Sequence, residues 1–280
     1  MQLLCGIIRY MIVNHVQTKN IIIKTKVPAA DYAANPYVGC SFACRYCYAT
    51  FMRRFTGHSE SWGAFLDVKH WNPINNPHKF DGKSITIGTV TDPYNGFERE
   101  FQRTRALLEE LSGTTAEISL LTKSDLVLRD LELIKAFRHV KVVFSINTLD
   151  EAFRRKMDRS VPIACRIEAM RQLRKAGIPT VTFISPIFPE ITDVPAIVRE
   201  VSPWCDEIWL ENLNLRGSFK ADIMQLIASD YPELLPLYQQ IYNRNGKAYW
   251  LNLAQELEQE LTPLKKKVVN YFFHTEIKKN

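Results

Sequence analysis

The chain predicts an α/β fold: a partial (β/α)6 barrel of parallel strands followed by a helical C-terminal extension. Three observations lead there. From Ser84 to Leu210, short apolar runs alternate with stretches of helical spacing, the pattern of βα units on a parallel sheet. With the run ahead of the clustered cysteines this makes about six units, fewer than a closed (β/α)8 barrel needs. After Gly217 the alternation stops. The chain therefore divides into a lead-in over 1–30, the partial barrel over 31–216 and a helical extension over 217–280.

In chain order, Ile21-Ile22-Ile23 reads as an extended lead-in ending at Pro28. The first barrel strand runs from Ala33 to Val38, directly into a cysteine-bearing loop. Tyr48 to Phe55 has helical spacing. A long polar and aromatic connection follows, through Gly57 to Gly63 and Trp71-Asn72-Pro73, and such connections in compact domains tend to be functional. Ser84 to Gly88, Glu117 to Leu121, Val140 to Ile146, Ile178 to Ile184 and Glu207 to Leu210 read as strands. Between them, Phe97 to Leu111, Leu126 to Phe137, Ile163 to Ala176 and Val194 to Val201 read as helices. The extension holds helices over Phe219 to Ala228, Glu233 to Tyr242 and Ala248 to Leu261, then Lys265-Lys266-Lys267 and a basic tail.

At 280 residues and 46% hydrophobic, the chain can bury a sizeable core. A net charge of +6 is mild and identifies no partner. Six cysteines are too few for a disulfide framework at this length, and three are clustered while Cys5, Cys165 and Cys205 are scattered. That pattern reads as reduced and cytoplasmic. The apolar run within Met1 to Val13 is broken by Arg9 and Tyr10 and is too short to span a bilayer, so no membrane partner is expected. Met11 is an alternative start.

The chemistry lies in Asn35-Pro36-Tyr37-Val38-Gly39-Cys40-Ser41-Phe42-Ala43-Cys44-Arg45-Tyr46-Cys47-Tyr48. Three soft thiolates in a C-x3-C-x2-C loop suit an iron–sulfur or zinc centre that takes three protein ligands and leaves one position open. In parallel βα barrels reactive groups gather at the strand C-termini. Here those ends carry Gly88 to Asp92, Lys123, Ser145, Ser185 and Glu211 to Arg216.

The spacing, with an aromatic before the third cysteine, is that of the radical S-adenosylmethionine (radical SAM) enzymes. The motifs N-P-Y-V-G-C-x3-C-x-Y-C-Y, G-T-V-T-D-P-Y, L-T-K-S-D-L-V-L-R-D, S-I-N-T-L-D-E and F-I-S-P-I-F-P-E-I-T-D resemble the branch related to spore photoproduct lyase. Within it the chain resembles most the group called radical SAM mobile pair protein B. The resemblance implies the radical SAM partial barrel and a [4Fe-4S] cluster held by Cys40, Cys44 and Cys47. It also implies S-adenosyl-L-methionine bound by Tyr46, Gly88, Thr91, Asp92, Lys123, Ser145 and Ser185, with Arg166 as a weaker carboxylate partner. Reductive cleavage of SAM would give a 5′-deoxyadenosyl radical that takes a hydrogen atom from a substrate. The electron would come from an external donor, flavodoxin- or ferredoxin-like.

One departure bears on the substrate. The lyase has a hydrogen-donating cysteine where this chain has Thr89, whose O–H bond is too strong for that use. Thymine-dimer repair is therefore not expected. Tyr48 and Tyr94 are the candidate hydrogen-atom relays, and Cys165 and Cys205 the other candidates. Two rival readings are weighed: a zinc-binding nucleic-acid module with His58 as fourth ligand, and a catalytically silent SAM-binding partner of a second radical SAM protein. Nucleic acid is one substrate class left open, on Arg53-Arg54, Arg154-Arg155-Lys156 and Lys265 to Lys267, with Trp62, Trp71 and Trp250 to stack.

Overall fold

The computed structural model describes residues 11–28 and 30–273; Cys5, and the choice of start ahead of Met11, lies outside the described residues. Eleven strands form: β1 (Ile12–Gln17), β2 (Ile22–Lys24), β3 (Tyr32–Ala34), β4 (Tyr37–Val38), β5 (Phe65–His70), β6 (Ser84–Ile87), β7 (Glu117–Thr122), β8 (His139–Ser145), β9 (Thr180–Ile187), β10 (Glu207–Asn212) and β11 (Lys267–Asn270). The main sheet has eight strands in the order β11-β10-β9-β8-β7-β6-β3-β2. Every pair in it is parallel except β2 with β3. This is the expected partial barrel, with β2 and β11 at its edges.

The sheet is buried on both faces, which explains its strongly apolar strands. On the outer face Ile85, Ile87, Ile118, Leu120, Val142, Phe144, Ile184 and Ile208 join the main core. Helices Arg103–Leu111, Ile163–Lys175 and Val194–Val201 add Leu107, Met170 and Ile197 to it. On the inner face Val143, Val181 and Trp209 pack with Leu121, Phe183, Val269 and Tyr271. Side chains alternate along a strand, so two residues beyond the inner layer come Lys123, Ser145, Ser185 and Glu211. The inner face thus ends in a rim of polar groups.

Four expectations need correcting. The first strand is not continuous from Ala33 to Val38: it breaks at Asn35-Pro36. β3 stays in the main sheet, whereas β4 pairs antiparallel with β5 in a second sheet of order β1-β5-β4. The long connection after Phe55 therefore contains a strand. Its alternation was hidden because Asp67, mid-strand, is buried against His58. The helix expected over Phe97 to Leu111 is two, Glu98–Phe101 and Arg103–Leu111, broken at Gln102 with φ of 49°. Finally, the tail is not merely basic: Lys267 to Asn270 returns to the barrel as β11, parallel to β10.

Candidate active site

The cysteine loop leaves β4 at Gly39, whose φ is +85°. A Cβ there would lie 2.3 Å from the Phe65 carbonyl oxygen, so the loop runs against β5 at a distance only glycine tolerates. From the loop, Cys47 leads into a 3-10 helix, Tyr48–Phe55.

The loop is tied to the strand ends by side chains far away in sequence. Thr91 donates to the Gly39 carbonyl (2.7 Å), and the Gly96 amide donates to Ser41 (3.1 Å). Asn35 donates to Thr89 Oγ1 (2.9 Å) and accepts from the Val90 amide (3.0 Å). Tyr48 donates to the Thr89 carbonyl. Asp92 is buried and accepts from the Lys123 amide (2.7 Å), Thr122 Oγ1 (2.8 Å) and the Tyr94 amide (2.9 Å). Gly88, with φ of +100°, lets Pro93 and the Leu121 carbonyl close in where a Cβ would clash.

The three thiols share one low-dielectric environment. Burial pushes Cys40 up to about 12, and also raises Cys44 and Cys47. Against this, Lys123 lowers both Cys44 and Cys47, and backbone amides at Asp92, Phe42, Ala49 and Thr50 point at the sulfurs of Cys40 and Cys47. The Trp62 indole N–H is buried and aimed at Cys47, whose thiolate it favours as a hydrogen-bond donor. A buried donor of this kind suits the sulfur of a thiolate-held cluster. Among the described residues no three His, Cys, Asp or Glu side chains gather around a single ion. A [4Fe-4S] cluster makes a different demand, because each thiolate binds its own iron. The residues fit such a cluster. They do not fit a Cys3His zinc site: His58 gives its nitrogens to Asp67 (2.8 Å) and Glu60 (3.1 Å) and stacks on Phe65.

Around the loop, Lys123 Nζ lies 5.5 Å from the centre of the Tyr46 ring. The Tyr46 hydroxyl donates to Asp158 (3.1 Å), and its ring meets Phe188 edge-on. Ser185 donates to Glu211 (2.5 Å). Glu211 is near enough to Tyr48 and Tyr271 to raise the pKa of both, behind the larger effect of burial. The structure thus brings Tyr46, Tyr48, Lys123, Ser185 and Glu211 around the cysteines, and places Ser145 on the same rim.

Several candidates take other parts. Thr91 and Asp92 spend their polar atoms on the scaffold, as staples between loops. Arg166 is neither solvated nor available to a carboxylate: it is buried, and its guanidinium donates to the carbonyls of Val161 (3.0 Å) and Ser145 (2.9 Å) and to Ser160. Tyr94 stands apart from the rim, fully buried in the main core near Asp130, Glu98 and Arg129. Cys205 is also in that core, and Cys165 lies on the outer helix Ile163–Lys175. Trp71 and Trp250 are core residues, and Arg154 is buried against Glu151 and the Ser160 carbonyl. They are not free to grip a nucleic acid.

Several site residues escaped the sequence reading. Arg45 pairs through two bonds (2.7 and 2.5 Å) with Asp222 of helix Phe219–Asp230, anchoring the extension to the cysteine loop. Tyr271 reaches the inner face only because β11 returns to the sheet. Trp62, read from the sequence only as a stacking residue, lies instead beside Cys47, and Asn35 gave no signal beyond opening the cysteine motif. A pocket of about 380 Å³ beside Tyr48 is lined by Phe51, Asn214, Arg216 and Phe219 among others.

The radical SAM superfamily pattern matches residues 34–199. An uncharacterised protein of Methanocaldococcus jannaschii is 38% identical over 221 residues, covering 78% of this chain and 83% of the relative. An uncharacterised protein of Mycobacterium tuberculosis is 26% identical over 262 residues, covering 85% and 76%. Among solved structures, a spore photoproduct lyase mutant with bound AdoMet and dinucleoside spore photoproduct aligns with a TM-score of 0.66. It is 17% identical, with 94% of this chain and 82% of that chain covered. SuiB of Streptococcus suis bound to S-adenosylmethionine aligns at 0.53 and 11% identity, over 93% and 50%. The chain belongs to the radical SAM superfamily, and its fold is the one these structures share. No helix among the described residues is long and apolar enough to cross a membrane.

Proposed function

We propose that this radical SAM protein is an enzyme that cleaves S-adenosylmethionine reductively and removes a hydrogen atom from a substrate at the barrel mouth. When bound, the [4Fe-4S] cluster and SAM supply the difficult chemistry, an electron to the sulfonium and a 5′-deoxyadenosyl radical. The chain's residues bind, orient and shield. Cys40, Cys44 and Cys47 would hold the cluster, with the Trp62 N–H and the backbone amides hydrogen-bonding its sulfurs. Lys123, a point charge beside Cys44, Cys47 and Tyr46, suits the SAM carboxylate. Gly88 leaves space by having no side chain, and Ser145 and Ser185 offer hydroxyls at the same rim. Glu211 and Tyr271 face the side left to the substrate.

The observation that carries this reading is the placement of Lys123 and the Trp62 indole donor against the clustered thiols at the strand ends. Dimer repair is not proposed. The resemblance implies a lyase cysteine at the position of Thr89, whose hydroxyl is held by Asn35 and whose carbonyl accepts a hydrogen bond from Tyr48. Tyr48, which follows Cys47 directly and whose hydroxyl reaches the Thr89 carbonyl, is the tyrosine we favour as a hydrogen-atom relay. Anaerobically reconstituted protein given dithionite and SAM should release 5′-deoxyadenosine, and Cys44→Ala should release none. Normal yield from that variant would refute the assignment.

A further inference from the structure

The reaction proposed above needs an electron delivered to the cysteine loop, and one surface of the molecule is built against that loop from outside the barrel motifs. Helix Glu151–Met157 and the turn after it run directly along the loop. The Arg45 amide donates to the Met157 carbonyl (2.9 Å), and the Arg159 amide donates to the Phe42 carbonyl (2.8 Å). These two bonds bracket Cys44, since Phe42 and Arg45 lie on either side of it. Electron tunnelling falls steeply with distance, so a donor resting on this segment would have a short path to the cluster ligands.

The segment is also charged in a specific way. Its carboxylates are already engaged: Glu151 by Arg154 (2.6 Å), and Asp158 by Tyr46 and Ser160. The neighbouring Asp222 and Asp230 are taken by Arg45 and Lys156. The side chains of Arg155 and Arg159, both exposed residues, have no hydrogen-bond or ion-pair partner among the described residues. Asp150 caps the same helix through the Ala152 amide (2.7 Å); beyond it, what faces solvent beside the loop includes the two unpaired guanidinium groups, which complement an acidic surface and steer its approach.

We infer that Arg155 and Arg159 form the docking surface for a small acidic electron-transfer protein of the flavodoxin or ferredoxin type. One electron leaves the donor's reduced centre and enters the oxidised cluster, lowering the cluster's charge by one; no bond is made or broken in this step. The inference rests on the cluster reading above. It adds where the donor binds and which residues select it.

The test uses the reconstituted full chain and a reduced flavodoxin as probe, in Arg155→Glu/Arg159→Glu and Arg155→Lys/Arg159→Lys double variants. Two things are measured: the rate at which the cluster's visible absorbance bleaches, and flavodoxin affinity by fluorescence anisotropy. At low ionic strength the charge reversal should slow flavodoxin-driven bleaching and weaken binding, each by about tenfold or more, while the lysine variant stays near wild type. Raising the salt should slow the wild type but not the reversed variant, whose repulsion from the acidic probe is screened instead. Bleaching by dithionite, which needs no docking, should be the same in all three. Equal flavodoxin rates and affinities in the wild type and the reversed variant would overturn the docking surface. Failure of the wild type to bleach with dithionite would instead overturn the cluster reading on which it stands.

Discussion

The two halves of the barrel mouth are built differently. On the cysteine side Asn35, Thr91 and Asp92 are buried, and their polar atoms are consumed by bonds to the loops beside them. On the opposite side Ser145, Ser185 and Glu211 are only half-buried, and between them the Ser185–Glu211 bond is the link described. Under the proposed function the cysteine half would hold the cluster and SAM, with Ser145 and Ser185 at the margin of that cradle and Glu211 turned to the substrate. A cluster and a cosubstrate of fixed shape reward a pre-organised cradle, because geometry set in advance need not be set again at each turnover. The second sheet belongs to the rigid half: β5 backs Gly39 and carries Asp67, which His58 secures.

The sharpest way to break this contrast is Asp92→Ala. It strands the Lys123 and Tyr94 amides and the Thr122 hydroxyl, and should cost about 3 kcal/mol of stability by denaturant unfolding. Iron content after reconstitution should fall with it. If Asp92→Ala kept both, the cysteine half would not be pre-organised by these staples.

A smaller effect tests the second sheet through pH. Burial works against a charged His58 ring, but its bonds to Asp67 and Glu60 more than offset that and hold its pKa above the ordinary histidine value. The stabilisation is therefore complete below the unfolded pKa, about 6.5, and is lost as pH rises through the higher folded value. Thermal unfolding of the wild type should decline over that window, and His58→Gln should remove this part of the slope. An unchanged slope would mean that the pair contributes nothing to folding.

The smallest effect on cofactor handling should come from the open half. Glu211→Gln should leave iron content and dithionite-driven 5′-deoxyadenosine within about twofold of wild type, with stability changed by less than about 1 kcal/mol. Transfer of deuterium from a labelled substrate into 5′-deoxyadenosine should drop much further. Equal losses in both assays would place Glu211 in the cofactor cradle and erase the contrast.

By itself the sequence determined the superfamily and the parallel barrel, and singled out the three clustered cysteines. Each of these is written in local spacing: C-x3-C-x2-C within one loop, and the alternation of strand and helix periods from Ser84 to Leu210. Lys123 and Ser185 could also be read, because they follow apolar runs that end in polar residues. The tertiary structure decided what depends on partners distant in the chain. Pro36 splits an apparently continuous strand, because β4 finds its partner in β5 and not in the barrel. Lys267 to Asn270, short and charged, becomes a strand only where β10 offers an edge. Arg166 turned from a ligand candidate into a buried brace, since nothing in a helix's own spacing tells which arginine will find three carbonyl or hydroxyl acceptors. Tyr94 left the site for the same reason: the turn after Asp92 sends it into the outer core. The cysteine loop was visible from the start, but the amides, the indole and the arginines that surround it come from segments brought together only by folding.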